Sequence, residues 1–121
     1  MSKQEQLQAV IDQLRVALPD LKGAMIASTD GLPIATALSR GSDPNRIAAM
    51  SATALGLGKR ISDTVGVGEF SETSVSGKDG QIYLYSVGSK AVLALVAPLG
   101  ANVGLIHLEA RDSARSISDI L

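Results

Sequence analysis

The chain has 121 residues, a formal net charge of −1 and no cysteine. That length suits one domain around one core, and nearly balanced, interspersed charge excludes the basic footprint that a nucleic-acid backbone requires. Without cysteine there is no disulfide, thiolate metal site or thiol nucleophile, and with aromatics at only 2% the platforms that stack bases, sugars and flat cofactors are missing, so no cofactor is expected.

The opening MSKQEQLQAV has no continuous apolar run of the signal-peptide kind. The longest apolar run, Ala91 to Pro98, falls far short of the roughly 20 residues that a bilayer span needs. A cytoplasmic chain with no membrane insertion is the expectation.

Leu7, Ile11, Leu14 and Leu18, joined by Val10 and Leu21, recur at helical spacing and predict an amphipathic helix stopped near Pro19. Lys22 to Thr29 predicts a strand, Asp30-Gly31 a hairpin turn, and Leu32 to Leu38 the returning strand. Asp43 and Pro44 then suit a helix N-cap and first helical position. Ile47, Met50, Ala54, Leu57 and Ile61 step by three and four, which predicts a second helix of about five turns with its apolar stripe toward the sheet. A second face is bare: Ala48, Ala49, Ala52, Gly56 and Ser62 carry little side chain. Gly56 and Gly58 each cost about 1 kcal/mol of helix propensity against alanine, a cost that close packing on another helix would offset.

Three strands are expected next, Glu69 to Ser76, Gln81 to Val87 and Ala91 to Ala97, with compact turns between them that imply an antiparallel meander. AVLALVA is apolar on both faces and belongs at the centre of a sheet; EFSETSVS is polar and belongs at an edge. Asn102 can cap a last helix through Val103, Ile106, Ala110, Ala114 and Ile117. The order is α-β-β-α-β-β-β-α, an α+β fold.

Catalytic patterns are missing. His107, followed by Arg111 and Arg115 at one-turn intervals, has no second histidine or cysteine to form a metal site or triad, and reads as a surface or boundary residue. Gly56-Leu57-Gly58-Lys59 is not a phosphate loop, because Thr53 and Arg60 stand where glycine and Ser/Thr are needed. Gly66-Val67-Gly68 lacks the third glycine of a dinucleotide fingerprint and reads as the end of the second helix. Glu69 and Glu72, three apart on one strand, point to opposite faces and cannot pair for acid/base work. Lys59 and Arg60 are read first as charges complementing the second helix's dipole, with docking as the competing role.

In this order the segments KGAMIASTDGLPIATAL, IAAMSATALGLGKRI, GKDGQIYLYSVGSKAVLALVAP and NVGLIHLEARDSARSI resemble the roadblock/dynein light chain family, including its bacterial MglB-like regulators, over nearly the whole chain. The resemblance implies a five-stranded antiparallel sheet with the first and last helices on one face and the second on the other. It also implies a homodimer in which second helices meet and third strands pair across the two-fold axis. The candidate dimer contacts are then Ala48, Ala49, Ala52 and Gly56 on the helix, with Phe70, Glu72 and Ser74 on the edge strand. Bacterial relatives bind Ras-like small GTPases, so a regulatory, non-enzymatic module is expected; a dimeric scaffold and a small-ligand sensor are the alternatives. Arg46, Thr53, Leu55, Lys59, Arg60 and Asp63, off the apolar stripe, are the candidate GTPase contacts.

Overall fold

A computed structural model describes all 121 residues, with α1 (Lys3–Ala17), β1 (Gly23–Ser28), β2 (Pro33–Ala37), α2 (Pro44–Val65), β3 (Glu72–Gly77), β4 (Gly80–Val87), β5 (Ala91–Pro98) and α3 (Val103–Ile120). The expected order of elements is the observed one. Each helix start has a side-chain cap for its otherwise unpaired N–H groups. Ser2 Oγ accepts from Glu5 N while the Glu5 carboxylate accepts from Ser2 N; Asp43 accepts from Arg46 N, with Pro44 beginning the helix; and Asn102 accepts from Leu105 N. Gly66, at φ 70°, closes α2 in the left-handed conformation that glycine adopts without steric cost.

The five strands form one antiparallel sheet in the order β2-β1-β5-β4-β3. β5 is central, as its unbroken apolar sequence requires. Strand alternation sends Leu93 and Leu95 to one face, where they join Ala24, Ile26, Tyr83 and Tyr85 under α1 and α3. Val92 and Ala94 point to the other face and meet Met25, Ala27 and Leu84 under α2. Gly80 begins β4 where a side chain has no room: a Cβ there would lie 2.6 Å from the Ala97 carbonyl oxygen.

Strand β3 is the expected polar edge, but it starts at Glu72 instead of Glu69. Ser71 still accepts a backbone bond from Ser86 N of β4, but Phe70 turns back over α2 with its ring against Gly58; a Cβ on Gly58 would lie 2.4 Å from Phe70 Cε1. The helical glycine leaves the space that this ring fills.

The orientation of α2 differs from the sequence expectation. The residues turned to the sheet are Ala48, Ser51 and Leu55, with Ile47 and Ala54 at the margin. Met50, Leu57 and Ile61 point outward, with 58%, 50% and 53% of their surface exposed. The physical reason is that small side chains at Ala48 and Ser51 let the helix lie close to a sheet face that is itself lined by Ala27 and Ala94. Two candidate contacts are corrected by this. Ala48 (0% exposed) and Leu55 (1% exposed) lie in the core beneath α2 and cannot reach a partner. The dipole role of Lys59 and Arg60 also falls, since α2 runs to Val65 and its last turn holds no basic residue.

Candidate protein-docking face

Successive residues of a helix turn by about 100°, so α2 presents three distinct sides beyond its buried one. Lys59 and Asp63 lie on one flank, lining a shallow groove with Phe70, Ser86 and Gly88 at the β4–β5 turn. Arg46, Thr53 and Arg60 occupy the crest and are exposed. Ala49 and Gly56 also lie outside the protomer core; a Cβ on Gly56 would meet nothing within 4 Å. Ala52 and Lys59 are partly covered. Met50, Leu57 and Ile61 fall on the flank opposite Lys59 and Asp63 by the same spacing.

On the same face as α2, the sheet carries a row that the helix covers only in part. Val75 of β3 pairs with Ile82 of β4, which pairs with Val96 of β5, and Val75 is 57% exposed. The outward stripe and the exposed Val75 give the α2 side of the chain an apolar exterior. Sequence reading found the stripe but assigned it to the core, because a period of three to four identifies an apolar side without saying what it faces. The signal that could have reversed the assignment was the neighbouring run Ala48, Ser51, Leu55, also at helical spacing.

The opposite face of β3 holds an unforeseen polar cluster. Glu72 opposes Tyr85 in the β3–β4 register, and from α3 His107 reaches down to both and Arg111, one turn on, to Glu72. Arg111 Nη2 donates to Glu72 Oε1 at 2.6 Å; His107 Nδ1 lies 3.0 Å from Glu72 Oε2 and 2.6 Å from Tyr85 Oη. The hydrogen bond of Nδ1 is the one shared with the Tyr85 hydroxyl, and the Glu72 carboxylate lies against the same nitrogen. The rings of Tyr83 and Tyr85 flank the imidazole, each with its centroid 5.7 Å away and steeply inclined to it. Glu72 thus acts within the protomer, holding the first residue of the edge strand to α3, whereas Ser74 is exposed on β3 and Phe70 packs partly under α2. His107 is a boundary residue, as the sequence indicated.

Burial, and then the charge of Glu72, raise the Tyr85 phenol well above its ordinary value near 10, with Arg111 opposing. The folded state therefore holds this proton more tightly than the unfolded chain. The resulting stability is complete below pH 10 and is lost as pH rises further, because the unfolded chain ionises first. Tyr85→Phe is expected to flatten the alkaline loss of stability relative to the unmodified protein, read as urea midpoints between pH 8 and 11.

Beside this cluster runs an open groove of about 400 Å³, whose walls include Phe70, Glu72, Tyr85, Arg111 and Arg115. It has few apolar walls, and no buried side-chain polar atom is left without a partner to attract a ligand. No three acidic or histidine side chains converge to hold a metal ion, and no helix is long and apolar enough to cross a membrane.

Comparison with known proteins fits this architecture. The sequence model of the Roadblock/LC7 domain matches residues 7–97. Two uncharacterized proteins of Methanocaldococcus jannaschii are similar: MJ1340, 29% identical over 80% of this chain and 84% of its own length, and MJ0714, 27% identical over 92% and 96%. Among solved structures, Myxococcus xanthus MglB superposes with a TM-score of 0.88 at 21% identity, covering 99% of this chain and 90% of that one. A Roadblock/LC7 domain from Streptomyces avermitilis gives 0.85 at 19% identity, covering 93% and 94%. With the matched region spanning β1 to β5 and most of α1, the chain belongs to the Roadblock/LC7 domain family.

Proposed function

We propose that this chain is a cytoplasmic, homodimeric regulatory module, without enzymatic activity of its own, that binds a Ras-like small GTPase and modulates its nucleotide cycle. The observation that carries the reading is the outward stripe of Met50, Leu57 and Ile61 on the same side as the exposed Val75 of an open edge strand. An apolar exterior and an unpaired strand edge are each costly to leave in water, and a second copy satisfies both. A two-fold axis beside β3 continues the sheet from one protomer into the next and sets both α2 helices on one face, stripe toward stripe.

The GTPase part is supported by the family and by the exposed crest. Pairing of the α2 helices doubles Arg46, Thr53 and Arg60 on one surface, with Lys59 and Asp63 at its border. GTPase switch loops order around the third phosphate, so a surface complementary to the ordered loops binds the GTP form more tightly. The test is titration of the Ras-like GTPase from the same cell, loaded with a GTP analogue or GDP. Charge reversal, Lys59→Glu with Arg60→Glu, is expected to weaken binding about tenfold, or about 1.4 kcal/mol, and to leave the melting temperature nearly unchanged. Equal affinity of the unmodified and reversed proteins would remove the crest from the site. Equal affinity for both nucleotide states would instead favour a dimeric scaffold. A small-ligand sensor has the weakest support, because the 400 Å³ groove is open and polar.

A further inference from the structure

The two edges of the sheet are treated differently by the rest of the chain. Backbone N–H and C=O groups of β3 face outward with no side chain bonded to them. At the other edge, β2, the helix α1 lies alongside and two of its glutamines bond to the strand's backbone. Gln4 Nε2 donates to the carbonyl oxygen of Ile34, and Gln8 Nε2 donates to that of Thr36 at 3.1 Å.

The spacing makes this a matched pair. Residues i and i+2 of a strand aim their carbonyls the same way, about 6.6 Å apart, and residues i and i+4 of a helix lie about 6 Å apart along one side. Ile34 and Thr36 are such a strand pair, and Gln4 and Gln8 such a helix pair. Pro33, the first residue of β2, adds a position with no N–H to offer. A strand approaching this edge would have to displace both amides and would find no donor at Pro33.

We infer that Gln4 and Gln8 close the β2 edge against strand addition, so that the chain has one adhesive edge and its assembly ends at a closed dimer. A sheet with two open edges can add copies without limit; a sheet with one open edge pairs once about a two-fold axis and stops. This rests on the proposed β3 contact only for the size of the final particle. Closure of β2 itself stands on the two side-chain bonds.

Gln4→Glu with Gln8→Glu tests it, since each substitution keeps the side chain's shape but removes the donor and sets a carboxylate against a carbonyl. The chain has no cysteine, so Thr36→Cys reports contact between two β2 strands by disulfide formation under mild oxidation. The expected result has two parts. The protein with Thr36→Cys alone stays at its original mass by light scattering and does not cross-link. The Gln4→Glu, Gln8→Glu, Thr36→Cys protein forms species of four chains and above that cross-link through Thr36. If the triple variant does not fold, each single glutamine variant is read in the same way, with partial cross-linking expected. A folded variant with unchanged mass and no cross-link overturns the closure. An unmodified protein of single-chain mass would instead overturn the β3 dimer, while Thr36 cross-linking in the glutamine variants would still report on β2.

Discussion

Replacing Leu57 and Ile61 together by aspartate is expected to convert a two-chain particle into a folded single chain. In the protomer both side chains are half in water, so the substitutions remove little core packing; exposed changes of this kind usually alter stability by within about 0.5 kcal/mol. Across a two-fold axis the same change is doubled, and four carboxylates would enter an apolar contact. Unpaired buried charge is among the costliest defects an interface can hold, and the dimer dissociation constant should rise at least about a thousandfold, roughly 4 kcal/mol. Light scattering at micromolar concentration, with circular dichroism to establish folding, reads the result. A double variant that keeps two chains per particle would remove this stripe from the interface. Gly56→Leu gives the contrast, because the protomer has open space there. If the small-residue flank joins the contact as well, overpacking should weaken self-association by about 1–3 kcal/mol.

The second large effect is within the protomer. Leu55 belongs to the buried cluster of Met25, Ala27, Ala48, Leu84, Val92 and Ala94 and is 1% exposed. Leu55→Ala should lower stability by about 2–5 kcal/mol through lost burial and the cavity left behind, against total stabilities of roughly 5–15 kcal/mol for domains. A shift in the urea midpoint at unchanged slope is the expected signature. Were Leu55 a partner contact, as its place in the sequence first suggested, truncation would instead alter binding and leave that midpoint where it was.

Much of this molecule follows from local chemistry. The N-caps at Asp43 and Asn102, the start at Pro44, the glycine that closes α2 and the hairpin turn at Asp30-Gly31 are all written in residue types with few conformational options. Strand positions were equally legible: an apolar run on both faces had to be the central β5, and a polar run had to be an edge. Family resemblance extended this to the arrangement of layers, with α1 and α3 over one face and α2 over the other.

Tertiary structure decided which way each element faces. Periodicity in α2 marked two sides, one of larger apolar residues and one of small ones, but burial depends on the depth of the opposing surface. A sheet face lined by Ala27 and Ala94 accepted Ala48, Ser51 and Leu55 and left Met50, Leu57 and Ile61 outside. Glu72 read as an edge carboxylate until the fold brought His107 and Arg111, 35 and 39 residues further along, to within 3.0 Å and 2.6 Å of it. The two glutamines on α1 had no meaning in sequence, since their partners are backbone carbonyls, and every residue has one of those. Side-chain chemistry fixes elements through near neighbours, whereas the exposure of a face and the closing of an edge depend on parts of the chain that only folding brings together.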